Sequence, residues 1–84
     1  MDYDAEDKAI FEKITTDALR RVMSVCEEDQ ITGHLSFSRA SKDDIRLAVD
    51  GADIMARRSD FLRPRFLSIR AALMNSANTQ EHRQ

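Results

Sequence analysis

Only a few side chains in this sequence could take part in catalysis or bind a metal ion. The chain has one cysteine, Cys26, and two histidines, His34 and His82. A cysteine beside a histidine can act as a nucleophile, because the imidazole removes the thiol proton. A Cys26–His34 pair would require the chain to fold back, and no third residue is placed to orient the histidine. None of the three residues has the spacing of a zinc ligand set.

Other chemical motifs are also missing from the pattern. The sequence has no glycine-rich phosphate loop, and its acids at positions 50–53 lack the spacing of a calcium loop. Cys26 falls at the edge of an apolar stripe, where a buried and unreactive thiol is the usual state. We therefore predict that the protein is not an enzyme and uses no metal, cofactor or small-molecule substrate.

Five arginines lie close together around the junction of two predicted helices. They are Arg57, Arg58, Arg63, Arg65 and Arg70. The planar guanidinium group suits phosphate and carboxylate alike, so three roles are open: a helix from Arg63 to Arg70 that contacts DNA, a dock for an acidic protein surface, or a solvated face. Domains that bind nucleic acid are often strongly basic, whereas this chain has a net charge of −2. Nucleic acid is therefore the less favoured partner.

Apolar residues recur at the spacing of an amphipathic helix, which predicts an all-α fold. The three helices span about residues 5–28, 42–58 and 61–74. We expect a three-helix bundle in a single domain, residues 1–74, with an ordered connector at 31–40 and a disordered polar tail at 75–84.

Individual residues define how these helices begin and pack. Ser41 is predicted to cap the second helix, and Pro64 interrupts the helical pattern and falls in the first turn of the third. Gly51 lies inside the second helix, where it would let another backbone approach closely. We expect the first helix to bury Phe11, Ile14, Ala18, Val22 and Val25, and the connector to be anchored by Ile31, Leu35 and Phe37.

A second apolar stripe on two of the helices carries the functional prediction. Leu47 and Ile54 lie seven residues apart and away from the main stripe of the second helix, and Leu67 and Met74 have the same spacing on the third. Three helices in a monomer share one interior, so a second stripe predicts a second copy of the chain or a helical partner. The alternative is that the connector covers these side chains or that they stay exposed.

The charges are divided unevenly along the chain. Residues 1–30 have nine acids and four bases, a net of −5, and residues 31–84 have six acids and nine bases, a net of +3. Such blocks can steer an encounter with a partner. The longest apolar runs are about four residues, so we expect neither a signal peptide nor a membrane-spanning helix. With one unpaired cysteine, the sequence predicts a cytoplasmic protein without a membrane partner.

The segment Lys42–Val49, KDDIRLAV, resembles the start of the last helix of some histone-fold transcription-factor subunits. The match covers about eight residues. It implies that the first helix would be the long central helix of such a fold, and the short helix that should precede it has no counterpart in the pattern. We assign the chain to no family on this basis.

These patterns together predict a small regulatory or adaptor protein that binds another protein. The binding face would be helical and apolar, rimmed by the five arginines, and would consist of Leu47, Ile54, Leu67 and Met74. The partner would be a second copy or another helical protein. Two alternatives stay open: a dimeric DNA-binding transcriptional regulator, and a small chaperone for a secreted or phage protein.

Overall fold

A computed structural model describes the backbone of residues 3–82 and the side chains of residues 5–78. Within that range the chain forms three helices and a two-stranded ribbon. In chain order these are α1 (Tyr3–Ser24), β1 (Glu27–Glu28), β2 (Leu35–Ser36), α2 (Lys42–Arg58) and α3 (Arg63–His82). The prediction of a mostly helical chain with three helices is confirmed.

The start of α2 follows from its first residues. The Ser41 hydroxyl accepts a hydrogen bond from the Asp44 amide at 3.0 Å, which satisfies one of the amides that a helix start leaves unpaired. Asp43 and Asp44 lie in the first turn, where negative charge favours the helix dipole. The predicted cap at Ser41 is confirmed.

The first helix ends at Ser24, four residues before the predicted end, because the following acids enter the ribbon instead. β1 pairs with β2 in antiparallel register, with Glu27 opposite Ser36 and Glu28 opposite Leu35. Three neighbouring carboxylates at a helix end would oppose the helix dipole. The ribbon therefore accommodates an acidic segment that suits a helix end poorly.

A tight turn joins the two strands and corrects one predicted anchor. The Asp29 carboxylate accepts hydrogen bonds from the amides of Ile31 and Thr32 at 2.8 and 2.9 Å, and Gly33 has a φ of +75°. Ile31 lies on this turn and is 94% exposed, so the expectation that it anchors the connector is wrong. Leu35 and Phe37 do face the interior, and Phe37 is fully buried.

The third helix runs eight residues past its predicted end at Met74 and stops at His82. Residues 75–82, which we expected to be disordered, are therefore helical, and residues 83–84 lie outside the described range. No proline or glycine interrupts this segment, and Ala77 packs against the core. α3 and its packing on the core therefore continue beyond residue 74.

α2 is the central helix of the molecule. α1 and α3 each pack along it, and among the described residues no Cα atom of α1 comes within 8 Å of one in α3. α1 runs antiparallel to α2, since Arg21 pairs with Asp44 at one end and Glu12 pairs with Arg58 at the other. The result is an open arrangement measuring 47 × 35 × 19 Å.

The core lies where the ribbon covers the helices. Its buried members are Leu19, Val22, Phe37, Ile45, Ala48, Ala52, Ile69 and Leu73. α1 and α2 approach closely at Gly51, where an added Cβ atom would lie 2.3 Å from the Thr15 carbonyl oxygen. The predicted close approach at Gly51 is confirmed.

The amino-terminal half of α1 departs from the predicted core stripe. Ala18 and Val22 are fully buried as expected, but Phe11, Ile14 and Val25 are exposed. Glu12 pairs with Arg58, the last residue of α2, so this half of α1 lies beside the carboxyl-terminal turns of α2. Among the described residues no Cα atom of α3 comes within 8 Å of one in α1, so α3 does not cover this part of α1.

Candidate protein-binding surface

The predicted binding residues on α2 lie inside the molecule or at its edge. Ile54 is 5% exposed and Leu47 is half-buried. We predicted a partner for both because three helices were expected to share one interior. That premise is wrong for α2, since it has α1 and α3 as neighbours and uses more than one apolar stripe within the chain.

The predicted binding residues on α3 are accessible. Leu67 is 44% exposed and Met74 is 41% exposed, and the exposed Ala71 lies between them. Spacings of four and three residues place all three on one side of the helix, away from the buried Ile69 and Leu73. We call Leu67, Ala71 and Met74 the α3 outer face.

A groove adjoins one end of the α3 outer face. It encloses about 790 Å³ between the segment 34–38 and the carboxyl-terminal half of α3, where Ala71 and Met74 are part of its wall. Ser36, Ser38 and Asn78 add polar groups. The α3 outer face therefore continues into a concave surface with a few hydrogen-bonding groups, as protein-binding and ligand-binding sites often do.

Two of the five arginines form contacts that stabilise the ends of helices. Arg58 pairs with Glu12 at 2.8 Å and so joins α2 to α1. Arg63 donates a hydrogen bond to the Ala56 carbonyl oxygen at 3.2 Å and pairs with Asp60 at 2.6 Å. Its positive charge thus lies at the carboxyl end of α2, where the helix dipole favours a cation.

Two further arginines share one carboxylate. Arg57 lies 3.4 Å from Asp53, one turn earlier in α2, and Arg70 reaches the same residue from α3 at 3.8 Å. The buried Nε atom of Arg70 has no hydrogen bond, because 3.8 Å is too long for one. Arg65 forms no ion pair with any described residue, so it is the member of the cluster with its charge free for a partner.

Ile10, Phe61 and Leu62 are also exposed apolar residues, and none of them belongs to the predicted binding face. Ile10 is about half exposed on α1, and Phe61, in the link between α2 and α3, is 90% exposed. The periodicity of α1 gave no sign that Ile10 is exposed. Phe61 could have been suspected, since it falls between the predicted helices.

The titratable groups show where the fold perturbs protonation. Burial raises the pKa of the Cys26 thiol, and the nearby Glu28 and Glu27 add to the effect. A hydrogen bond from Arg21 lowers the pKa of Asp44, and backbone amides of Thr32 and Ile31 lower that of Asp29. These shifts accompany local structure, since the affected side chains do not converge on one site.

Among the described residues, no group of three or more His, Cys, Asp or Glu side chains is arranged to hold a metal ion. The same part of the chain has no helix that combines the length and the apolar character needed to cross a membrane.

The segment that resembles histone-fold subunits does begin a helix, since α2 starts at Lys42. No protein-family model, curated protein or solved structure matches the chain.

Proposed function

We propose that this chain is a small regulatory or adaptor protein that binds a helical segment of another protein chain on the α3 outer face. The observation that carries the proposal is the exposed row of Leu67, Ala71 and Met74. Its four- and three-residue spacing is that of the apolar seam in paired helices. A helix laid along such a row is a common mode of protein recognition.

Burial of Leu67 and Met74 alone does not supply the binding free energy expected for a protein partner. Full burial of a Leu or Met side chain contributes about 1.5–3 kcal/mol. Leu67 and Met74 are each less than half exposed, so burying what remains would contribute only about 2 kcal/mol in total. A Kd of about 1 μM corresponds to about −8 kcal/mol. We therefore infer that the partner also inserts side chains into the adjoining groove.

Arg65 lies on the other side of α3 from Leu67, beside Glu28 and Gly33. The arginines that neighbour the α3 outer face at three- and four-residue spacing are Arg63 and Arg70, and both already pair with carboxylates of this chain. The four paired arginines support the DNA-binding alternative less well, because contacts with phosphate would compete with their ion pairs, two of which join helices. With its single cysteine, the proposed binder would work in the reducing cytoplasm.

Site-specific photo-crosslinking tests the proposal. A variant with p-benzoyl-phenylalanine in place of Met74 is irradiated in the native host, beside a control with the same group in place of Asp50. Asp50 is exposed on α2 and lies outside the α3 outer face. We expect a protein adduct from position 74 and none from position 50. Equal adducts from both positions, or none from position 74, would contradict the proposal.

A further inference from the structure

The strand β2 has one edge that pairs with no other strand. β1 lies along one side of β2, and within residues 3–82 no further strand lies along the other side. Such an edge presents main-chain N–H and C=O groups that can bind an added strand, and charged side chains discourage that pairing. β1 consists of Glu27 and Glu28, whereas β2 consists of the uncharged Leu35 and Ser36. The edge of β2 is therefore the one suited to an added strand.

The register of the ribbon shows which main-chain groups lie on this edge. The Asp29 amide donates a hydrogen bond to the His34 carbonyl oxygen across the ribbon, at 2.9 Å. Bonded positions alternate along an antiparallel pair. Leu35, the next residue along and the partner of Glu28 in the register, therefore has a position without hydrogen bonds to β1. Its N–H and C=O groups point away from β1.

The groove beside α3 runs along the same edge. All five residues 34–38 line it, and neither Glu27 nor Glu28 does. Side chains of an extended segment alternate between its two faces, so a groove that meets five consecutive residues follows their main chain. The opposite wall is formed by residues of α3 between Ala71 and Asn78, a rise of about 10 Å. An extended chain of about three to four residues spans that length.

We propose that an extended, uncharged segment of the partner protein binds in this groove as a third strand on the edge of β2. The inference rests on the proposed function, because it names the part of the partner that enters the groove. Main-chain hydrogen bonds to Leu35 would hold the segment, as in other cases of strand addition. Among the described residues that line the groove, none is Asp, Glu, Lys or Arg. A charged side chain enclosed there would lack an ionic partner, which disfavours a charged segment.

The orientation of Leu35 sets the side-chain pattern of the bound segment. Leu35 packs its side chain against the core. The residue directly opposite in the added strand would place its side chain on the same face and its main-chain groups toward Leu35. We therefore expect apolar residues at every second position of the segment, and we expect the amides of those apolar residues to bond to β2.

An NMR titration of the full chain with a peptide probe tests the third strand. The probe is a capped peptide of eight residues in which valine alternates with threonine. The amide signal of Leu35 should shift, and exchange of its proton should slow about tenfold when the free peptide is at ten times its Kd. The amide of Asp50, which is exposed on α2, is the control and should not shift.

Two N-methylated forms of the peptide are the matched controls. Because the change is in the peptide, the folding of the protein is unaffected. Methylation of the valine amides should abolish binding, since these amides face Leu35, and methylation of the threonine amides should leave binding intact, since these point away from β2.

Three results would overturn the third strand. One is the lack of any shift at Leu35 with up to about 5 mM peptide, and another is the same effect of both methylated peptides. The third is a free chain that sediments at twice its mass of 9.6 kDa with the Leu35 amide already protected, because a second copy would then occupy the edge.

The crosslinking experiment separates this failure from failure of the proposed function. An adduct from position 74 without peptide binding at Leu35 would overturn the third strand and support the α3 outer face as a binding surface. Peptide binding at Leu35 without an adduct from position 74 would overturn the proposed helix binding and support the third strand. Both results together support both proposals, and the lack of both would overturn both.

Discussion

The α carbon of Gly51 faces the backbone of Thr15 so closely that no other side chain fits between them. A Cβ atom on Gly51 would lie 2.3 Å from the Thr15 carbonyl oxygen, 2.8 Å from the carbonyl carbon and 3.2 Å from the Cβ atom of Leu19. The first two contacts are with backbone, which cannot turn aside as a side chain can. This relationship sets the distance between α1 and α2.

Gly51→Ala should therefore destabilise the protein. Alanine in place of glycine normally stabilises a helix interior by roughly 1 kcal/mol, but here the helices must move apart, and overpacking of this kind costs about 1–3 kcal/mol. Urea unfolding should show a lower midpoint. The neighbouring Asp50→Ala is the control, since Asp50 is exposed, and its midpoint should not fall. Equal midpoints for the two variants would contradict the close approach.

The Arg21–Asp44 pair should contribute a pH-dependent part of the stability. The hydrogen bond from Arg21 lowers the pKa of Asp44 in the folded state. Its contribution is therefore present above the unfolded pKa of about 3.9 and is lost as the pH falls through the lower folded value. Arg21→Gln should reduce the free energy of unfolding at neutral pH and should have less effect in strong acid.

Lys42→Gln is the control for this pH effect, because it also removes a positive charge and Lys42 forms no ion pair with a described residue. Its effect on the free energy of unfolding should stay nearly constant across the same pH range. If the Arg21→Gln difference also stays constant down to strong acid, the pair does not contribute in the way described.

Two phenylalanines should differ sharply in their importance for stability. Phe37 is 2% exposed within the core cluster, while Phe61 is 90% exposed. Phe37→Ala should cost about 3–5 kcal/mol, since it removes a buried ring and leaves a cavity. Phe61→Ala should change the free energy of unfolding by about 0.5 kcal/mol or less. Similar melting temperatures for the two variants would show that the ribbon does not cover the core as described.

The thiol of Cys26 should react slowly with disulfide reagents at neutral pH. Burial raises its pKa, and the reactive species is the thiolate, so little of the folded protein is in the reactive form. Labelling with a chromogenic disulfide should accelerate on addition of urea. A Cys26→Ser chain with Ser24→Cys supplies an exposed thiol for comparison. Folded Cys26 reacting as fast as that thiol would contradict the burial.

Features decided by neighbouring residues were predictable from the sequence. The Ser41 cap depends on an amide three residues away, and Gly51 inside a helix indicates a nearby backbone. The burial of Ile54 and the exposure of Phe11 were not predictable. Both depend on the position of α1 along α2 and on the packing of two helices against α2. The periodicity of a single helix contains neither piece of information.

The same limit applies to the candidate surface. Leu67 and Met74 were identified because an exposed pair seven residues apart is visible within one helix. Ile10 was missed because its exposure depends on which elements pack against α1.

The central position of α2 has a consequence for the order in which the chain opens. α1 can loosen from α2 while α3 stays packed on it, and α3 can loosen while α1 stays, because among the described residues no Cα atom of α1 lies within 8 Å of one in α3. If α2 unfolds, both α1 and α3 lose the helix against which they pack. Native-state hydrogen exchange should therefore be slowest in the amides of α2, where only global unfolding exposes them, and faster in the outer helices, which open in smaller cooperative units.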